Sequence, residues 1–93
     1  MSKHRRAAKR DANETAIIQA LTQVGAVVVA ETNIDLYVFY RGELYAMEVK
    51  DKGGRLTPYQ RKLHAQILEQ TGYEVPKVYN VDQALNIIGA TDE

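Results

Sequence analysis

The chain has 93 residues, 45% of them hydrophobic, with 12 Lys and Arg balanced by 12 Asp and Glu, which suits one domain with a modest core. It contains no cysteine, so disulfides, thiolate metal sites and cysteine nucleophiles are excluded. It has no apolar run long enough to cross a bilayer, and its basic start lacks the apolar segment of a secretory signal, so neither a membrane helix nor export is expected.

Zero net charge favours no partner, but the charges are clustered. Residues 3–10 carry Lys3, Arg5, Arg6, Lys9 and Arg10 with no acid among them, and read as a basic arm over residues 1–10 ahead of a single domain over 11–93. Lys50, Lys52, Arg55, Arg61 and Lys62 form a second basic group. Such clusters on a neutral chain suit a phosphate-binding face, or a solvated tail and loop.

Asp11 and Glu14 have the spacing of a helix-capping pair, and Ile17, Ile18, Leu21 and Val24 recur at helical spacing before Gly25. Glu14 falls on the same stripe as Ile17, Ile18 and Leu21, so its carboxylate either serves the helix N-terminus or is aimed into a site. Residues 26–31 (AVVVAE) are β-branched and nearly all apolar, which predicts a strand buried on both faces. Thr32-Asn33 is a turn, and residues 34–40 (IDLYVFY) predict a second strand. Arg41, Gly42 and Glu43 make a hairpin connection into a third strand over residues 44–50. With Arg41 and Gly42 as the loop, Asp35 lies opposite Glu48; with Gly42 and Glu43 as the loop, it lies opposite Lys50. Either register puts Asp35, Glu48 and Lys50 on one face of the hairpin.

A polar, Gly-rich loop follows over residues 51–56. Thr57 caps a second helix with Pro58 and Gln60 in its first turn, Gln60, Leu63, His64, Ile67 and Leu68 share one stripe, and Gly72 ends it. A short edge strand over residues 75–79 contains Pro76, and a last helix begins at Asn80 or Asp82. The predicted order is αβββαβα. His64 reads as a packed or half-buried residue rather than a ligand, and Tyr37, Tyr45, Tyr59 and Tyr79 as packing or interface residues, with the mouth of a site beside Gln60 as a second place for Tyr59.

Two carboxylates on one hairpin face repel and call for a cation. Lys50 is one candidate and a divalent ion held by Asp35 and Glu48 is the other, since Mg²⁺ takes oxygen ligands and keeps several positions for water or phosphate. With the Val49 carbonyl as a further ligand, that set suits polarising a phosphate and activating water, with Lys50 orienting the water or stabilising phosphate charge.

Asp35 followed by Glu48-Val49-Lys50, a Gly-rich loop and Leu56-Thr57-Pro58-Tyr59-Gln60 resembles the VRR-NUC branch of the PD-(D/E)XK nucleases. Glu14 matches the glutamate that family places on its first helix, while Ile34 stands where the family usually has proline. The resemblance implies an α/β fold with an αβββαβ restriction-endonuclease-like core, a mixed sheet flanked by helices. It implies Mg²⁺ (with Mn²⁺ substituting) held by Asp35, Glu48 and Val49, a catalytic Lys50, and supporting roles for Gln60 and Glu14. It implies a cytoplasmic, bacterial or phage-encoded endonuclease that cuts branched DNA, four-way junctions above all, as a homodimer. Arg5, Arg6, Lys52, Arg55, Arg61 and Lys62 are the expected phosphate contacts. A flap- or single-strand-directed nuclease, or a non-catalytic nucleic-acid-binding module, are the alternatives.

Overall fold

The computed structural model describes residues 12–51 and 54–90. The elements run α1 (Ala12–Gln23), β1 (Val27–Ala30), β2 (Leu36–Tyr40), β3 (Glu43–Val49), α2 (Pro58–Thr71), β4 (Lys77–Val78) and α3 (Val81–Ile87), the order read from the sequence. Asp11, and with it the expected capping pair, lies outside the described residues. The four strands form one mixed sheet in the order β1-β2-β3-β4, with β1, β2 and β3 antiparallel and β4 parallel to β3.

Alternation along the strands sorts side chains between two faces. Leu36, Val38, Met47 and Val49 point inward and form the core with Ile17 and Leu21 of α1, Ala84 of α3, and Ile88 just beyond it. The opposite face carries Tyr37, Phe39, Leu44, Ala46 and Glu48, and α2 stands over part of it, with Ile67 lining a groove beside Tyr37, Leu44 and Ala46. The fold is thus α/β with helices on both sides of a mixed sheet.

β1 departs from expectation. It pairs only with β2 and is an edge strand, so Val28 packs against the core while Val27 and Val29 remain 62% and 38% exposed. A β-branched run reads alike at a sheet centre and at an edge; only the strand order separates them. Val24, placed on the buried stripe of the first helix, is exposed, because α1 ends at Gln23 and the chain leaves the helix before it. Leu68 on the α2 stripe is exposed too, and no residue of α2 is fully buried.

The hairpin resolves the register. Tyr40 pairs with Glu43 and Leu36 with Met47, so the loop is Arg41-Gly42. Both loop residues have positive φ, 51° at Arg41 and 81° at Gly42, which is the twist a two-residue hairpin needs. Arginine is an unusual occupant of that conformation, and its guanidinium lies over the Tyr40 ring, 5.1 Å from the centroid. Extended by one residue, this register sets Asp35 opposite Glu48.

A second feature holds β3 beside its neighbours. β4 begins pairing only at Glu48–Lys77, which leaves Ala46 without a strand partner on that side. The Tyr73 hydroxyl fills the gap: it accepts from Ala46 N at 3.0 Å and donates to Ala46 O at 2.8 Å. Burial pushes the Tyr73 phenol above its usual range, so it stays protonated and able to donate.

Candidate functional site

The site forms where β2 stops short. Pairing between β2 and β3 ends at Leu36–Met47, and the backbone of residues 32–35 bends away. The Asp35 side chain takes over the next rung: its Oδ2 accepts the Val49 N–H at 2.9 Å. That bond pins the carboxylate, 7% exposed, against the end of β3. Glu48 lies beside it, fully buried, close enough that the Asp35 carboxyl helps to push its pKa up.

α2 supplies the wall. Thr57 Oγ1 accepts from Gln60 N at 3.1 Å, and Gln60 Oε1 accepts from Thr57 N at 3.0 Å, so the helix opens on a complete capping box with Pro58 in its first turn. The same Gln60 side chain reaches the site. Its Oε1 also accepts from Lys50 Nζ at 3.1 Å, and its Nε2 donates to Glu48 Oε1 at 3.1 Å. Capping and site support are therefore one function of one amide. The capping bond turns the Gln60 oxygen toward Thr57 and Lys50 and so leaves the amide N–H for the carboxylate.

One turn further, His64 Nε2 lies 3.1 Å from Glu48 Oε2. Sequence reasoning took His64 for packing. The available signal was its place four residues after Gln60, which puts both on one helix face. The contact is a hydrogen bond rather than an ion pair, because both partners are pushed toward their neutral forms. Burial, aided by the Lys50 ammonium, holds His64 below its usual value. Burial and then the Asp35 carboxyl push Glu48 up to about 8, against the opposing pull of Lys50. At neutral pH the Asp35–Glu48 pair retains a proton that two exposed carboxylates would have lost.

Glu14 is 6% exposed in the first turn of α1. Its neighbour Asn13 donates from Nδ2 to the Lys50 carbonyl at 3.3 Å, so the start of α1 abuts the end of β3 at the site. Arg55, Arg61 and Lys62 are exposed on the loop and first turns of α2, and Arg61 braces that loop by donating to Leu56 O at 3.0 Å. Arg5, Arg6 and Lys52 lie outside the described residues. Tyr59 is 58% exposed beside Gln60 in the chain.

The donor set fits a hard divalent cation of the Mg²⁺ kind. Glu48, buried beside Asp35, keeps its proton at neutral pH, and a cation that took the place of that proton would balance the charge of both carboxylates. Among the described residues no group of three or more His, Asp and Glu side chains is gathered to hold a metal by itself. A cation here would draw its remaining ligands from the Val49 carbonyl, water or a phosphate, which is the ordinary manner of Mg²⁺.

Set beside family models, curated proteins and solved structures, the chain matches none of them. No helix among the described residues is long and apolar enough to cross a membrane.

Proposed function

We propose that this chain is a metal-dependent DNA endonuclease of the PD-(D/E)XK type. The observation that carries the reading is the connected set at the end of β3: Asp35 against Glu48, and Gln60 joining Glu48 to Lys50. Asp35 and Glu48, with the Val49 carbonyl, would hold Mg²⁺ or Mn²⁺; such an ion lowers the pKa of bound water and neutralises charge on a phosphate. Lys50 carries the adjacent ammonium, held by Gln60 Oε1, where it stabilises the phosphate's negative charge or orients the attacking water. Gln60 keeps Lys50 and Glu48 in fixed relation, and Glu14 brings a further carboxylate from α1.

Arg55, Arg61 and Lys62, on the loop before α2 and the first turns of α2 that also carry Gln60, offer exposed cations for backbone phosphates. That favours recognition of DNA by shape rather than by base edges, with a four-way junction as the preferred substrate. A homodimer would bring two such sites to opposed strands. Val27, Val29, Phe39 and Leu44 give the outer sheet face an exposed apolar patch for a second copy to cover.

The test is cleavage of matched labelled duplex, flap, single-stranded and four-way-junction DNA by purified protein with Mg²⁺ or Mn²⁺. Lys50→Ala is expected to fold normally and to cut at least about 10²–10³-fold more slowly, the usual loss when one charge-stabilising donor is removed. Cutting unchanged by Lys50→Ala would sink the assignment. Specific binding with no cutting by the wild type would indicate a nucleic-acid-binding module instead.

A further inference from the structure

We infer that His64 is a positioning residue for the Glu48 carboxylate. The inference rests on the reading of Glu48 as a cation ligand and adds a residue to it. The last torsion of a glutamate is soft and turns through a broad range, so a buried carboxylate has no fixed plane unless its oxygens are held. Here each oxygen has its own partner from α2. Gln60 Nε2 donates to Oε1 at 3.1 Å and His64 Nε2 contacts Oε2 at 3.1 Å.

Gln60 and His64 are four residues apart, so one rigid turn of helix presents both. The Glu48 side chain is fully buried and that of His64 is 11% exposed, so bulk water competes little for the contact. An ionised carboxylate can only accept, which makes Nε2 of His64 the protonated nitrogen when Glu48 is charged. Two donors occupy one lone-pair direction on each oxygen. The other directions are left for Asp35's side of the site and a cation there. Outer hydrogen bonds of this kind are worth roughly 10–100-fold in metal affinity.

Two measurements test this. The first is Mn²⁺ binding by calorimetry, together with the Mg²⁺ concentration giving half-maximal cleavage. His64→Phe, which keeps a ring but no donor, is expected to weaken both by about 10–100-fold. His64→Gln, which restores an amide donor, is expected to recover most of the loss. The second needs no variant: ¹⁵N NMR of the Mg²⁺-loaded wild type is expected to show His64 with its proton on Nε2. Unchanged Mn²⁺ affinity in His64→Phe, failure of His64→Gln to recover, or a proton on Nδ1 (as direct ligation through Nε2 would require) each overturns the role. Absence of Mn²⁺ binding by the wild type overturns the cation reading itself, and the role with it. Tight wild-type binding that His64→Phe leaves intact overturns the role alone.

Discussion

Replacing Glu48 by Gln should stabilise the metal-free protein at alkaline pH while removing its response to divalent cations. Glu48 is fully buried against Asp35, and its carboxyl rises from the ordinary 4.5 to about 8. The folded state therefore keeps this proton to higher pH than the unfolded chain does. Between about pH 4.5 and 8 the folded protein binds more protons, so its stability falls as pH rises through that window. At about 1.4 kcal/mol per tenfold change in proton affinity, the loss approaches 5 kcal/mol, an upper limit because Lys50 and the hydrogen-bonding partners can rearrange around the new charge. Even about 2 kcal/mol would lower the melting midpoint of so small a domain by roughly 10 °C.

Glu48→Gln keeps the shape and cannot ionise. Its amide has an oxygen for Gln60 Nε2 and an N–H₂ at the Oε2 position, where neutral His64 accepts through Nε2 in its other tautomer. Melting curves from pH 5 to 9 with chelator present are expected to show the wild type falling by at least about 10 °C more than the variant. Added Mg²⁺ or Mn²⁺ should flatten the wild-type profile, since a ligand that binds only the folded state stabilises it, and should leave the variant unmoved. Parallel profiles for the two proteins across that pH range would refute the account of Glu48.

Two further predictions concern the frame that holds the site. Tyr73→Phe keeps the ring but strips Ala46 N–H and C=O of their shared hydroxyl, and is expected to cost about 1–3 kcal/mol in urea unfolding; a cost near zero would show that the hydroxyl does not brace β3. Arg41→Asn should stabilise by about 0.5–1 kcal/mol, because relief of a positive φ worth about 1–2 kcal/mol exceeds the lost contact with the Tyr40 ring. An equal or lower urea midpoint would argue that the guanidinium contact outweighs the backbone strain.

Much of the fold was legible because local chemistry and tertiary structure agree. Thr57, Pro58 and Gln60 start a helix by rules that need no tertiary context, and the chain starts α2 there. Alternation along residues 34–40 and 44–50 places Asp35 and Glu48 on a common face, although it leaves two registers open because Arg41-Gly42 is not the favoured type I′ pair. The structure decides for the loop with Arg41 in the left-handed region, a conformation that arginine does not advertise. The edge position of β1 was not legible, since strand order is set by the whole sheet. His64 and Tyr73 were missed for a related reason. Each acts across a distance in the chain, on Glu48 and Ala46; helical spacing sets His64 on the Gln60 face, but no local pattern names a partner that lies on another element. Gln60 shows the converse: capping and site support looked like competing uses, and the geometry lets one amide do both.

Crystals of the wild-type protein soaked in Mn²⁺ test the central claim most directly through anomalous scattering. The account expects one peak or a close pair between Asp35 and Glu48, with an oxygen of each carboxylate and the Val49 carbonyl as ligands, and no peak there in Glu48→Gln. Active protein whose Mn²⁺ lies elsewhere, or a wild-type site that takes no Mn²⁺ at saturating concentration, would contradict it.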